Sequence, residues 1–331
     1  APGRCRAAVA AALGVSESNI TVFPMPGGGN SGASMAHDIA IQAALIAQEI
    51  NRPVQLCWSR TEDILQDSPR PPARAKMRAT LSTAATIDGW HASIATQAAR
   101  HEWHARLDGK SPHAAMVSAA GKSDAAAISG ARPPYTIPHL AIDHLPVDSA
   151  LPAGYWRSNG DSITTFLTEC FIDELAAVGT TDPLGFRMSM LGNATDLARC
   201  LQTVSALGGW EGGAAGSGQG IACASLRGSH IAVMAVARPG AGGLVVERLV
   251  IAADIGRVLN PGLARQAIES GAVFGLAAAV GATTRYRKGI ARARHMGDLG
   301  LPTLAQMPAI TVELIDSQRA PGGASEIGVV A

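Results

Sequence analysis

Residues 19–58 read as a single β–loop–α–β unit, and no other run limits the possible fold as strongly. Residues 19–23 have strand character. Pro24-Met-Pro-Gly-Gly-Gly-Asn-Ser-Gly-Ala33 forms a glycine loop, and a helix is expected over 34–50, where Ile39, Ala43, Ile46, Ala47 and Ile50 recur at helical spacing. Pro53 then opens a strand over 54–58. Glycines let a backbone approach a ligand closely, and a helix N-terminus attracts phosphate. Gly27, Gly29 and Gly32 satisfy G-x-G-x-x-G in the setting of a dinucleotide site. Read alone, this makes an NADP-dependent dehydrogenase one alternative, with Arg60 after the second strand suited to a 2′-phosphate. Pro24 and Pro26 weigh against it, because they interrupt a turn that is normally tight.

The rest of the chain continues in mixed order. A helix over 3–13 ends at Gly14. A hairpin is expected from strands at 75–82 and 90–98, with its turn near Asp88-Gly89. Residues 101–131, rich in Gly, Ser, Ala and His, read as a loop excursion. A strand over 135–144 and helices over 161–177 and 183–191 follow, the last with Pro183 at its first position. Residues 207–218 form a glycine-rich connector. Strands at 219–225, 229–237 and 245–252, a helix over 262–280 and a strand over 308–315 complete the reading. The fold class is α+β, with mixed sheets and packed helices in two halves, 1–198 and 199–331.

Composition narrows the function. There are 37 glycines, aromatics are 4% and charged residues 16%, so the core packs small side chains closely, and part of the weakly charged surface is expected to lie under a partner or further sequence. The net charge of +1 gives no electrostatic ground for nucleic acid or an anionic membrane. No apolar run reaches the roughly 20 residues of a membrane span; the best, 271–282, is expected to be a buried helix. No signal-peptide pattern opens the chain, which starts at Ala1 instead of Met, and localisation stays open between cytoplasm and periplasm. Cys5, Cys57, Cys170, Cys200 and Cys223 stand apart with no C-x-x-C pair, so no zinc or sequence-local iron–sulfur site is expected and each is read as a small buried hydrophobe.

One acid stands out. Glu326 lies in Ala320-Pro-Gly-Gly-Ala-Ser-Glu-Ile-Gly328, a loop whose glycines, Gly323 among them, let the backbone come close to something large. A carboxylate displayed this way can act as a general base beside a bound cofactor. Arg157, next to Trp156, and Gln266 are candidate cofactor contacts. Asp254 is suited to a turn with Gly256. His101 and His104 are read as surface histidines without a further metal ligand. The basic run over 285–295 is read as a solvated hairpin or a face toward a partner.

Several segments together resemble the molybdopterin-binding large subunit of the molybdenum hydroxylases, the xanthine dehydrogenase and aldehyde oxidase family, and most of all the branch of isoquinoline 1-oxidoreductase beta subunits and related aldehyde dehydrogenases. They are Pro53-Val-Gln-Leu-Cys-Trp-Ser-Arg-Thr-Glu-Asp63 with Asp67-Ser-Pro-Arg-Pro71, Gly154-Tyr-Trp-Arg-Ser-Asn-Gly160, Phe171-Ile-Asp-Glu-Leu-Ala176 with Asp182-Pro-Leu-Gly-Phe-Arg187, Asp254-Ile-Gly with Asn260-Pro and Gln266-Ala-Ile-Glu-Ser-Gly271, and Ala320 to Gly328. The resemblance implies a two-part molybdenum cofactor-binding domain. It implies molybdopterin cytosine dinucleotide with molybdenum as cofactor, and Glu326 as the general base in oxidation of an aldehyde or N-heteroaromatic carbon with water. Gly27, Gly28, Gly29, Asn30, Trp156, Arg157, Gln266 and Gly323 would contact the cofactor, and electrons would leave through a small 2Fe-2S subunit. The glycine loop departs from the family pattern: Asn30 and Ser31 stand where it has Phe and Gly, so backbone N–H groups remain and the aromatic contact is lost. The family subunit is far longer, so the chain is expected to be its core, inactive alone and completed by the missing remainder of the large subunit; a cofactor-free structural fragment or degenerate relative is the alternative.

Overall fold

The computed structural model describes residues 2–25, 36–212 and 218–331. In chain order the helices and strands are α1 (Pro2–Leu13), α2 (Asp38–Ile50), α3 (Arg60–Gln66), β1 (Arg74–Leu81), β2 (Ile87–Thr96), α4 (Ala99–Leu107), α5 (Pro112–Ala119), β3 (His139–Pro146), α6 (Asp161–Val178), α7 (Pro183–Met190), α8 (Thr195–Gly208), β4 (Gln219–Leu226), β5 (Ser229–Gly240), β6 (Gly243–Asp254), α9 (Pro261–Ala279), β7 (Tyr286–Arg287), β8 (Ile290–Ala291), β9 (Ala309–Leu314) and α10 (Ile327–Val330).

Both larger sheets are mixed. The first has the order β1-β2-β3, with β1 and β2 antiparallel and β2 and β3 parallel. The second has the order β4-β5-β6-β9, antiparallel except for the β6–β9 edge, whose crossover contains α9. Side chains alternate across a strand, and both faces of the second sheet are buried. Cys223, Ala232, Met234, Val250 and Ala252 meet Leu197, Cys200, Leu201 and Val204 of α8, in a core that extends to Trp90 and Ala92 of the first sheet and to Ile172 and Phe186 of α6 and α7. Ala224, Ile231, Val233, Leu249 and Ile251 meet Ile268, Ala272 and Leu276 of α9 and Ile327 and Val330 of α10. The architecture is the expected α+β one, and α8 runs across residues 198 and 199.

Side-chain caps fix several helix starts. Asp182 accepts from the Gly185 N–H at 2.6 Å and Asn260 from the Leu263 N–H at 3.0 Å, each followed by proline. Among the described residues no helix is long and apolar enough to cross a membrane. The run over 285–295 contains the β7–β8 hairpin.

The structure corrects four element assignments. Residues 20–25 and 53–59 carry no strand pairing, so the expected β–loop–α–β unit supplies only its helix, which starts at Asp38; neither segment has a ladder neighbour among the described residues. Ser59 instead caps α3, accepting from the Glu62 N–H at 3.2 Å. The first hairpin turns at 82–86, where the Ser82 hydroxyl bonds the Ala84 and Thr86 N–H groups, and Asp88 and Gly89 sit inside β2. The region 101–131 holds α4 and α5 in place of a loop, the second begun by the Ser111 cap and Pro112. Among the cysteines, Cys200 and Cys223 are buried as expected, whereas Cys5 of α1 is half-buried and Cys170 of α6 is exposed on helix faces that nothing covers, and Cys57 is exposed in the unpaired segment over 53–59.

Candidate functional site

The loop that leads into α6 makes a sharp turn. Ser158 and Asn159 both have left-handed backbone conformations, with φ of 64° and 48°, which side-chain-bearing residues adopt rarely. Hydrogen bonds hold the turn. The Asn159 amide donates to the Ala126 carbonyl at 2.6 Å, and the Ser158 hydroxyl donates to the Glu326 carbonyl at 2.7 Å. The second bond ties the Trp156–Arg157 loop to the Glu326 loop.

The turn sends both side chains onto α9. Trp156 stacks on Phe274 with ring centroids 4.5 Å apart. Arg157 donates to the Ser270 carbonyl and hydroxyl, both at 3.4 Å, and to the Ser325 carbonyl, with its guanidinium 5.5 Å from the Phe274 ring. Burial lowers the Arg157 pKa, and the Glu326 charge opposes that shift. Gln266, Ser270 and Phe274 are spaced four apart and so form one stripe along α9. Gln266 is exposed and has no hydrogen-bond partner among the described residues. Three residues singled out in the sequence, Trp156, Arg157 and Gln266, therefore lie on or against this stripe.

Glu326 sits just before α10. Its carboxylate forms an ion pair with the Arg227 guanidinium, and 27% of its side-chain surface is exposed. Arg227 was not legible as a site residue. It lies at the tip of the β4–β5 hairpin, where Arg227 and Gly228 have φ of 50° and 78°, a two-residue turn with both centres left-handed. The glycine requirement in the acid's loop falls on Gly322, where a Cβ would run into the Ser229 hydroxyl; at Gly323 it would only touch the Arg227 stem at 3.8 Å. Asp161 lies nearby: burial raises its pKa, a hydrogen bond from Ser129 and the charge of Arg227 oppose the shift, and Glu326 adds to it. Asp254 shapes its own turn as expected, accepting from the Gly256 N–H at 3.1 Å. Gly27, Gly28, Gly29 and Asn30 lie outside the described residues.

Glu326 does not line the cleft of about 390 Å3 that is bounded by Gly130, Pro133, Pro134 and Tyr135, by Thr165 and Glu169 of α6, and by Cys223 and Ser225 of β4. The acid of the cleft, Glu169, is already neutralised. Arg187, fully buried, donates to it at 2.9 Å, Tyr135 at 2.9 Å and the Cys223 N–H at 3.0 Å. Burial, reinforced by the neighbouring Glu169 charge, pushes the Tyr135 and Cys223 pKa values well up.

One cation meets the Trp156 ring. Arg70 stands 4.5 Å from its centroid, half-buried, with no hydrogen bond or ion pair among the described residues. Burial lowers its pKa. A guanidinium left without an acid in such a place is matched by an anionic ligand. With Arg157 and the open amide of Gln266, this donor set fits a large phosphate-bearing cofactor. Among the described residues no group of three or more His, Cys, Asp or Glu side chains is placed to hold a metal ion.

Comparison with known proteins identifies the family. The chain matches a molybdopterin cofactor-binding domain over residues 1–191 and a second such domain over 204–308. It is similar to isoquinoline 1-oxidoreductase subunit beta of Brevundimonas diminuta, with 25% identity over 96% of this chain and 40% of that one. It is also similar to the membrane-bound aldehyde dehydrogenase (pyrroloquinoline-quinone) of Gluconacetobacter polyoxogenes, with 24% identity over 97% of this chain and 44% of that one. In three dimensions it resembles quinoline 2-oxidoreductase from Pseudomonas putida 86, with a TM-score of 0.80 at 11% identity, covering 100% of this chain and 66% of that one. The chain thus spans less than half the length of these two curated relatives. With the first domain match alone taking in more than half of its residues, the chain belongs to the molybdopterin cofactor-binding domain family.

Proposed function

We propose that this chain is the cofactor-binding core of a molybdenum hydroxylase large subunit, with halves 1–198 and 199–331, and that Glu326 is its general base. The substrate is an aldehyde or an N-heteroaromatic carbon: water supplies the oxygen, the carbon loses two electrons and two protons leave. The observation that carries the reading is the bond from Ser158 to the Glu326 carbonyl at 2.7 Å, which brings the only acid of the terminal loop beside the Trp156–Arg157 loop. Arg70, Gln266 and Trp156 would hold the cofactor, which when bound would supply two-electron redox chemistry and Lewis acidity.

The chain's own residues do the rest. Glu326 takes up the proton. Trp156, in contact with Arg70 and Phe274, steadies the Arg70 guanidinium beside the cofactor. Arg70 and Gln266 hold its phosphates, and a cytosine dinucleotide form gives the α9 stripe a nucleotide arm to follow. Arg157 keeps the acid's loop against α9. Gly27, Gly28, Gly29 and Asn30 contribute backbone N–H groups, and Gly323 leaves room over the acid's loop. The electrons pass to a separate small 2Fe-2S subunit.

The test is the complete natural enzyme with its partner subunits. One molybdenum per large subunit is expected by metal analysis. Glu326→Gln is expected to keep that molybdenum and to lower kcat about 10²–10⁴-fold. Absence of molybdenum, or turnover unchanged in the Gln variant, overturns the proposal.

A further inference from the structure

The ion pair between Glu326 and Arg227 does not hold itself in place. With 27% and 56% of the two side chains exposed, water screens it. Arg227 sits with Gly228 at the tip of the β4–β5 hairpin, beyond the last ladder pair of Leu226 and Ser229, and β4 is an edge strand of its sheet. Such a tip needs an anchor outside the hairpin. Among the described residues one side chain bonds its backbone: Arg319 donates to the Gly228 carbonyl at 2.9 Å.

Arg319 commits all three guanidinium nitrogens, each to a different element. Nη1 takes the hairpin tip. Nη2 pairs with Asp254 at the end of β6 at 2.7 Å, and Nε with Asp196 in the first turn of α8 at 3.3 Å. Asp254 has no exposed surface, and a buried carboxylate demands a cation. A planar guanidinium tied at three corners is rigid. The backbone beside it is tied as well. The Arg319 carbonyl accepts from the Arg257 N–H at 3.0 Å, and the Gly322 N–H donates to the Ile255 carbonyl at 2.8 Å. Gly322 then packs on Gly228 and Ser229 with no room for a Cβ. The segment over 319–326 therefore meets one hairpin tip twice, at Gly228 through its first residue and at Arg227 through its last.

We propose that Arg319 is a positioning residue for Glu326: it fixes the hairpin tip against buried Asp254, and the tip holds the carboxylate through Arg227. The proposal rests on the reading of Glu326 as the base. A displaced base costs turnover more than binding, because it must stand within hydrogen-bond reach of the proton it takes.

The experiment compares Arg319→Lys, Arg227→Met and the double variant in the complete holoenzyme. Lysine keeps a positive charge beside Asp254, but its single nitrogen cannot also hold Gly228. Arg319→Lys is expected to keep the molybdenum content and the urea midpoint of wild type, to leave KM within about twofold and to lower kcat about tenfold. Arg227→Met, an exposed change, is expected to lower kcat at unchanged stability. Because Arg319 acts through Arg227, adding Arg319→Lys to Arg227→Met is expected to lower kcat by less than about twofold more. Hydrogen exchange at the Gly322 amide is expected to quicken about tenfold in Arg319→Lys. Full kcat in either single variant, losses that multiply in the double variant, or a kcat loss in Arg319→Lys matched by a fall in its urea midpoint overturns the assignment. Exchange needs no turnover: a quickened Gly322 amide together with full turnover in Glu326→Gln shows a standing clamp and a failed base, whereas an unchanged amide overturns the clamp itself.

Discussion

Arg187 shows how much one side chain can be asked to hold. It has no exposed surface and bridges Glu169 and Asp173 of α6 at 2.9 and 2.6 Å. Its removal strands the nearly buried Glu169 charge, whose other partners, Tyr135 and Cys223, are neutral donors. Arg187→Met is expected to cost about 3–5 kcal/mol, read from the midpoint of urea unfolding. Asp161 works in the opposite sense. Its pKa is raised in the folded state, so its stabilising contribution is complete below the unfolded value near 4 and is lost as pH rises through the folded value. Asp161→Asn is therefore expected to melt higher than wild type at pH 7 and to lose that advantage below about pH 4, measured by thermal denaturation at both pH values. The same scale shows what a sequence reveals of a site. Glu326 stood out because its glycine neighbours are adjacent in the chain. Its partner Arg227 is 99 residues away, and only the β4–β5 hairpin makes them neighbours. Arg70 and Phe274 were missed for the same reason, since each acquires a role only by touching the Trp156 ring.

Among elements, α9 and α10 depend on glycine for their separation. A Cβ on Gly271 would stand 2.9 Å from the Gly328 Cα, and one on Gly275 2.7 Å from the Val329 carbonyl oxygen. At Gly328 a Cβ would collide with the Ile268 carbonyl, which is backbone of α9 and cannot swing aside. Gly328→Ala is expected to destabilise by about 1–3 kcal/mol in chemical denaturation. Because Ser158 binds the Glu326 carbonyl two residues earlier, the same change displaces the acid. Elements with local punctuation were legible: the starts of α7 and α9 are written as Asp182-Pro183 and Asn260-Pro261, and the strands of the second sheet as apolar runs separated by glycine-containing turns. Ser59-Arg-Thr-Glu62 and Ser111-Pro112 carried equally local signals for α3 and α5 and were overshadowed by an assumed strand and loop. The segments over 20–25 and 53–59 were misread for a different reason. Strand character is only a preference until a neighbouring strand accepts the hydrogen bonds, and no sequence window contains that neighbour.

At the scale of the molecule, one core crosses between the halves. Trp90 in the first sheet and Met234 in the second belong to the same apolar cluster, with 3% and 0% of their surface exposed. Met234→Ala is expected to cost about 2–5 kcal/mol and to lower the midpoints of tryptophan fluorescence and far-UV circular dichroism together; separate midpoints show that the halves unfold independently.

The pairing of β6 with β9 has a consequence for biosynthesis. Arg248 lies opposite Ala309, so this edge of the sheet closes only after α9 and the β7–β8 hairpin have been translated. Throughout that interval the nascent chain presents β6, with its run of buried side chains from Leu249 to Asp254, as an unfilled edge emerging from the ribosome. Such an edge recruits any extended peptide in reach. The stretch of synthesis between residues 254 and 314 is accordingly where chaperone capture should be sought by ribosome-bound crosslinking.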